Sequence, residues 1–592
     1  MLPTRLSLAA LRRTSLSPTA LVEEIWRRCE SFTQRDPAVW IHRLSLDELR
    51  AHARRLEALD PATLPLYGVP FAIKDNIDLA GAPTTAACPN FTYTPARSAA
   101  AVERLIAAGA IPVGKTNLDQ FATGLVGVRS PYGAPRNIFN PDYISGGSSS
   151  GSAVSVAAGL VSFALGTDTA GSGRVPAAFN GLIGLKPTRG RLGTRGVVPA
   201  CRSLDCVSIF ALDCADTAEV LALAEGYDAT DPFSRPSPPE AVCHVLCDKL
   251  SERPRLGVPR TDQLDWFGNT ESPALFASAL ERLRITGCEI VEVDFSPFLD
   301  AARLLYEGPW TAERYAAVGE FIETHRTSPG LDPTVADIIL GGKSPSASDA
   351  FRATYRLAGL RRAADSVLST VDALVAPTTG TIYTVAEIQA DPIRLNSNLG
   401  RYNNFMNLLD LCGLTLPADR YSFGPGFGIT VIAPAWHDVR LLAFGARYLS
   451  ETSLPETSAD PLSPGWIELA VCGAHLRGQP LHGQLTALGA RFMTATTTTA
   501  SYRLYALPGT QPPKPGLVRV NSDAIGAPIA VETYALSPEA FGKFVAAIPA
   551  PMVIGTVELM GEKAVKGFLC EPCALAGARD ITTFGGWIAY RQ

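Results

Sequence analysis

The hydrophobic pattern changes character once along the chain. Through the first 450 or so residues, apolar positions fall alternately at helical spacing and in short continuous runs. Residues 98–110 (SAAAVERLIAAGA) have the spacing and composition of a helix, and 111–114 follow as a short buried strand. The alternation recurs, with a helix over 152–159 ahead of a strand over 160–165, and a strand, helix, strand series over 255–259, 273–286 and 289–294. Ser272 before Pro273 reads as an N-cap followed by a first-turn proline. This pattern predicts an α/β layered domain with a large sheet.

The texture then shifts. Residues 451–465, ETSLPETSADPLSPG, are rich in Pro, Ser, Thr and acid and read as a linker. Beyond them lie short apolar runs at 467–471, 516–520, 529–534 and 567–570, separated by Gly and Pro, with a helical segment at 538–547. We therefore expect a first domain over 1–452, a linker over 453–465 and a small β-rich domain over 466–592. There is no internal repeat, and the one low-complexity patch is the Thr run at 494–499.

Composition narrows the function classes. A chain of 592 residues is too long for one ordinary core, and 46% hydrophobic with 18% charged residues fits packed domains rather than disorder. The net charge of −5 is not gathered into a basic tract, so neither nucleic acid nor an anionic membrane is expected, and small-molecule chemistry is the default. No run approaches the roughly 18–20 apolar residues of a membrane span; the nearest, after Ser152, is broken by Gly159 and Gly166. Residues 1–13 mix charges with short apolar runs and hold no long apolar stretch, which predicts a cytoplasmic protein without a secretory signal. The 12 cysteines are scattered and read as free thiols. The close pairs are Cys243/Cys247 and Cys570/Cys573; the latter has CxxC spacing but no second ligand pair nearby, so no metal is expected.

The densest chemistry lies at 146–159, GGSSSGSAVSVAAG, and 164–190, ALGTDTAGSGRVPAAFNGLIGLKPTRG. Gly lets backbone approach a ligand closely, and hydroxyls offer donors and acceptors at short reach. A flexible Ser/Gly linker would have polar flanks, whereas these are apolar and helical. Upstream, 68–78 (GVPFAIKDNID) ends an apolar run in Lys74, at a strand end where burial lowers an amine's pKa. A serine hydroxyl is a weak nucleophile that needs a base with a pKa near the working pH, and a desolvated lysine meets that need. One rival is a G-x-S-x-G elbow centred on Ser149, which requires a histidine and an acid; His244, His325, His437, His475 and His482 follow it in ordinary settings. Gly424-Pro-Gly-Phe-Gly428 lacks nucleotide-loop spacing and reads as a turn.

Taken in order, GGSSSGS, TDTAGS and GLKPTRG resemble the amidase signature family over roughly residues 20–450. The resemblance implies a large mixed central β-sheet covered by helices. It also implies a triad of Lys74 as base, Ser148 as a bridging serine in an unusual cis peptide, and Ser172 as nucleophile, the serines lying 24 positions apart (172 − 148). Backbone N–H groups of Thr169, Ala170, Gly171 and Ser172 would form the oxyanion hole, with Asp168 and Arg174 pairing to hold the turn.

Within the family, AGSGRVPAAFNG and LLYEGPWTAERYAAV (304–318) look like the allophanate hydrolase branch. That likeness implies a small urea-like substrate, allophanate, held by Tyr306, Arg314 and Gly124, an arginine fork being well suited to its carboxylate. Without the motif, Arg314 would read as a solvated or structural ion pair. HLRGQPLHGQL and YRLYALPG are similar to the C-terminal domain of those enzymes, an α+β, γ-glutamyl-cyclotransferase-like fold. Either it speeds decarboxylation of the first product, with His482 as candidate, or it only stabilises assembly. The resemblance further implies no metal or organic cofactor and a homodimer through the amidase domain. The alternatives are a related amidohydrolase for another small amide and a non-catalytic scaffold, whose mark would be a broken triad; all three positions are intact.

Overall fold

Most of the short apolar runs in the first 450 residues form strands buried on both faces, which is why they lack polar alternation. The computed structural model describes residues 2–238, 253–451 and 466–591, apart from 478, 522–523 and 561–562. The chain divides into two units, Met1–Leu454 and Pro455–Gln592.

In the first unit the strands are β1 (Trp40–Arg43), β2 (Pro70–Lys74), β3 (Ile111–Thr116), β4 (Phe163–Thr167), β5 (Ile183–Lys186), β6 (Val207–Ala211), β7 (Arg255–Pro259), β8 (Glu289–Val293), β9 (Ala373–Pro377), β10 (Leu411–Arg420) and β11 (Gly426–Pro434). They make one eleven-stranded sheet in the order β1-β3-β2-β4-β6-β5-β10-β11-β9-β7-β8. Pairing is parallel for β3-β2-β4 and for β9-β7-β8, and antiparallel through the middle. Phe71, Ile73, Phe163, Leu165 and Ile209 form the core of the central strands. The expected mixed α/β sheet with a smaller β-rich second unit is what the structure shows.

Local readings met three corrections. The strand expected over 160–165 is β4, which starts at Phe163. Gly159 (φ +68°) closes the preceding helix Ser150–Ala157, and the Leu160 N–H returns to the Ser155 carbonyl, so Leu160 belongs to the cap. Ser272 is the first residue of helix Ser272–Ile285 rather than its cap; Asn269 Oδ1 accepts from the N–H groups of Glu271 and Ser272, while the Ser272 hydroxyl meets that of Tyr421. Of the 424–428 segment, read as a turn, Gly424 and Pro425 lie in the connection between β10 and β11, whereas Gly426, Phe427 and Gly428 begin β11 and pair with β10.

The second unit has a five-stranded sheet, β13-β16-β12-β18-β17, and a three-stranded one, β15-β14-β19. These are β12 (Ile467–Val471), β13 (Arg491–Thr497), β14 (Tyr502–Ala506), β15 (Pro515–Arg519), β16 (Ala530–Leu536), β17 (Met552–Leu559), β18 (Lys563–Cys570) and β19 (Arg579–Asp580), with helix Pro538–Ala546 packed through Phe544. The threonine run falls largely in β13. The 453–465 linker and the Cys243/Cys247 pair lie outside the described residues. Cys570 is buried and Cys573 exposed, both as free thiols. Among the described residues, no helix is long and apolar enough to cross a membrane.

Candidate active site

Strands β2 and β4 are parallel neighbours with Ile73 opposite Leu165, so Lys74 and Thr167 emerge side by side from their carboxyl ends. The loop leading into helix Ser150–Ala157 meets that edge. Lys74 Nζ donates to Ser148 Oγ at 2.7 Å and to Thr167 Oγ1 at 2.8 Å, and Asn76 Nδ2 also donates to Thr167. Lys74 is fully buried, and no carboxylate pairs with it among the described residues. Burial lowers its pKa from 10.5 to about 7, against the opposing pull of Asp119, Asp168 and Asp205.

The Gly147–Ser148 peptide is cis. A side chain at Gly147 would overlap Asp119 Oδ2 and the Gly127 nitrogen, which explains the glycine. Asp119 shapes this loop from beneath. Its carboxylate accepts from the N–H groups of Val126, Gly127 and Arg129, and its own N–H donates to the Ser148 carbonyl.

Ser172 sits in the turn after β4, and its hydroxyl donates to the Gly124 carbonyl at 3.5 Å. No hydrogen bond joins Ser172 to Ser148 among the described residues, so the structure links the lysine to the first serine and leaves the second beside Gly124. Asp168 and Arg174, both fully buried, form the expected fork, with Nε to Oδ2 and Nη2 to Oδ1 each at 2.9 Å. Asp168 also accepts from the N–H groups of Gly171 and Gly173. The Gly171 N–H is thereby committed, whereas those of Thr169, Ala170 and Ser172 have no acceptor among the described residues.

The residues expected to face a substrate lie close together. Arg314, on helix Trp310–His325, is 1% exposed. Its guanidinium donates to Thr123 Oγ1 at 2.9 Å and the Tyr306 hydroxyl at 3.3 Å, and lies 5.4 Å from the centre of the Tyr306 ring. Its Nε has no partner, and no carboxylate pairs with it among the described residues. Thr123 precedes Gly124, so the chain that holds the guanidinium also touches Ser172. The elbow reading fails: Ser149 Oγ donates to the Thr167 carbonyl, and no described histidine bonds to a serine of this loop.

Sequence reasoning missed Thr167, Thr123, Asp119 and Asp205. Thr167 stands inside TDTAGS and was there to be read. Asp205 has no local signal: its carboxylate, raised to about 6 by burial, accepts from the Thr169 hydroxyl across the β4–β6 pairing.

In the second unit, His482 opens helix His482–Ala487, with Nδ1 3.3 Å from the His475 carbonyl and 3.5 Å from the Tyr534 hydroxyl. A cavity of about 260 Å³ in this unit is lined by His475, Gln484, Lys514 and Phe568 but not by His482. His475 stacks on Phe568 and meets Gln484 Oε1 at 3.1 Å, so it, and not His482, faces that cavity.

Known proteins align with this arrangement. The amidase family matches residues 20–442, and the allophanate hydrolase C-terminal domain matches 467–592. Urea amidolyases from Saccharomyces cerevisiae and Lachancea kluyveri are 44% and 43% identical over 93% and 94% of the chain, which spans 31% of the length of each. A solved Kluyveromyces lactis allophanate hydrolase is 41% identical with a TM-score of 0.72, covering 99% of both chains. The GGSSSGS, TDTAGS and GLKPTRG segments fall inside the first matched region, and with that match and this fold the chain belongs to the amidase family.

Proposed function

We propose that the chain hydrolyses allophanate, releasing ammonia, with Lys74, Ser148 and Ser172 as the catalytic triad. The observation that carries the reading is the buried, acid-free guanidinium of Arg314, joined through Thr123 and Gly124 to Ser172. A buried cation without a carboxylate partner is costly unless a ligand provides one. Allophanate is a small amide ending in a carboxylate, and the likeness to the K. lactis enzyme over 99% of both chains supports it.

In this reading the neutral amine of Lys74 takes the proton of Ser148, which takes that of Ser172, whose oxygen attacks the terminal amide carbonyl. Thr167, already accepting from Nζ, turns the amine's lone pair toward Ser148. The tetrahedral oxyanion is met by N–H groups of Thr169, Ala170 and Ser172, while that of Gly171 stays on Asp168. The relay returns its proton to the leaving nitrogen, and ammonia departs. Water, activated by the same base, opens the acyl-enzyme to give N-carboxycarbamate, which loses carbon dioxide.

The same proposal places the domains at 1–452 and 466–592, joined by 453–465, in a cytoplasmic homodimer formed through the first. It gives the second domain the decarboxylation step, at the cavity that His475 lines and His482 backs.

Ammonia release on allophanate, biuret, malonamate and acetamide tests the reading. Ser172→Ala should abolish release with folding intact. Arg314→Ala should cost allophanate and malonamate about 30- to 150-fold, the equivalent of roughly 2–3 kcal/mol for a charged hydrogen-bonded anchor, and leave acetamide unchanged. Equal losses on charged and uncharged amides would remove the carboxylate argument. Truncation near residue 460 should halt at N-carboxycarbamate and lower the ammonia yield per allophanate.

A further inference from the structure

We propose that Asp205 is a positioning residue that braces the oxyanion loop against the helix carrying Arg314, setting the spacing between the two ends of the substrate. The inference deepens the proposed function and rests on it for the identity of those ends.

The placement follows from register. β4 and β6 run antiparallel with Thr167 opposite Val207, and the pairing continues one step past the strands, where Asp168 and Cys206 exchange N–H···O bonds of 2.8 and 3.3 Å. That step sets Asp205 across from Thr169. Its carboxylate is 4% exposed and accepts from the Thr169 hydroxyl and from the N–H groups of Ala200 and Cys201, at 2.9 and 3.2 Å for the last two. All three donors are neutral, and no cation forms an ion pair with Asp205 among the described residues. Its hydrogen-bond partners are all neutral, with Arg314 attracting it only at longer range, so moving the carboxylate moves Thr169.

The segment 200–205 is gripped from its other side by the arginine's helix. Glu313 accepts from the Ser203 N–H at 2.6 Å and from the Ser203 hydroxyl at 2.8 Å, and the Cys201 thiol lies 3.6 Å from the Trp310 carbonyl. Glu313 adjoins Arg314 in sequence. A short rigid path therefore runs from Arg314 through Glu313 and Ser203 to Asp205, and on to the Thr169 hydroxyl. Arg314 faces Asp205 electrostatically from the helix, and Arg195, Arg202 and Asp231 share with it a polar cavity of about 200 Å³ behind the loop.

A substrate with a fixed distance between carboxylate and scissile carbonyl fits only if anchor and oxyanion donors keep that distance. A misplacement of about 1 Å is enough to cost on the order of 10²-fold in rate. Asp205 touches neither end, so its loss should appear in turnover rather than in binding.

The test uses the full chain with Asp205→Asn, Thr169→Val and the double variant, read in two assays. Allophanate turnover reports kcat and KM; the p-nitrophenol burst from p-nitrophenyl acetate reports Ser172 acylation without any need for a carboxylate. Asp205→Asn should lower kcat about 10- to 100-fold with KM within about threefold, less than or near the roughly 10²–10³-fold cost of deleting an oxyanion donor. The burst rate, which needs the oxyanion donors but not their distance from Arg314, should fall by a smaller factor, and an equal fall in both assays would overturn the spacing role. Thr169→Val, which keeps its N–H and loses only the hydroxyl, should reproduce the loss, and the double variant should be no worse than about threefold below the weaker single. An unchanged kcat, a loss confined to the KM for allophanate with the burst intact, or multiplicative losses in the double variant would each overturn the proposal. If Asp205→Asn does not fold by circular dichroism, Thr169→Val alone decides. Wild-type acylation by the ester without turnover of allophanate would sink the substrate reading while leaving the Asp205 comparison readable on the burst.

Discussion

Replacing Lys74 by methionine probes the proposed base directly. An amine with the ordinary pKa of 10.5 is neutral in about one molecule in 3,000 at pH 7, whereas one at about 7 is neutral in about half. Burial therefore raises the population of free base about 10³-fold, equivalent to about 4 kcal/mol. The cause is visible in the site: Lys74 has two hydroxyls as partners and no carboxylate among the described residues to hold its proton. As pH falls through about 7 the amine protonates, so kcat should fall about tenfold per unit below that point and level off above it. Lys74→Met keeps the length and apolar character of the stem and deletes the nitrogen. Measured by ammonia release from pH 5 to 9, it should lose at least about 10³-fold in kcat and lose the break near 7 with it. Stability gives a second reading with its own sign. A lysine whose folded pKa lies below its unfolded value opposes folding fully below about pH 7, and the penalty fades as pH rises toward 10.5. Wild-type stability should thus climb over that window, and the Met variant should not. A variant retaining a tenth of the activity, or one whose rising limb persists, would refute the assignment of Lys74 as base.

Two other substitutions follow from the same geometry. Arg174→Met strands the fully buried Asp168 carboxylate, and urea denaturation should show a loss of about 3–5 kcal/mol, accompanied by loss of activity as the turn before Ser172 relaxes. Thr167→Val deletes an acceptor that favours the charged amine; the rising limb of the kcat–pH profile should move to lower pH and the plateau should drop, because Nζ is no longer turned toward Ser148.

What could be read from the chain, and what could not, divides along one physical line. Helix–strand alternation is local, so 111–114, 255–259 and 467–471 point correctly to β3, β7 and β12, and the errors at Leu160 and Ser272 are capping details of one turn. Ser148 and Ser172 stand out because they lie in contiguous segments unusually dense in Gly and Ser, and Lys74 because it ends an apolar run. The sheet order is another matter: β5 and β6 lie between β4 and β10, joining segments far apart in sequence, and hydrophobic period carries no information about which run pairs with which. Asp205 shows the consequence. In isolation it is one acid among many, and it gains a role only because antiparallel register sets it against Thr169. Arg314 shows the converse, since its motif draws attention to it but cannot distinguish an anchor from an ion pair. That distinction needs its burial and its missing acid, both properties of the folded chain. The residues proposed here to perform bond chemistry are thus marked by their local segments, whereas those proposed to tune them are marked only by which partners the fold gives or withholds.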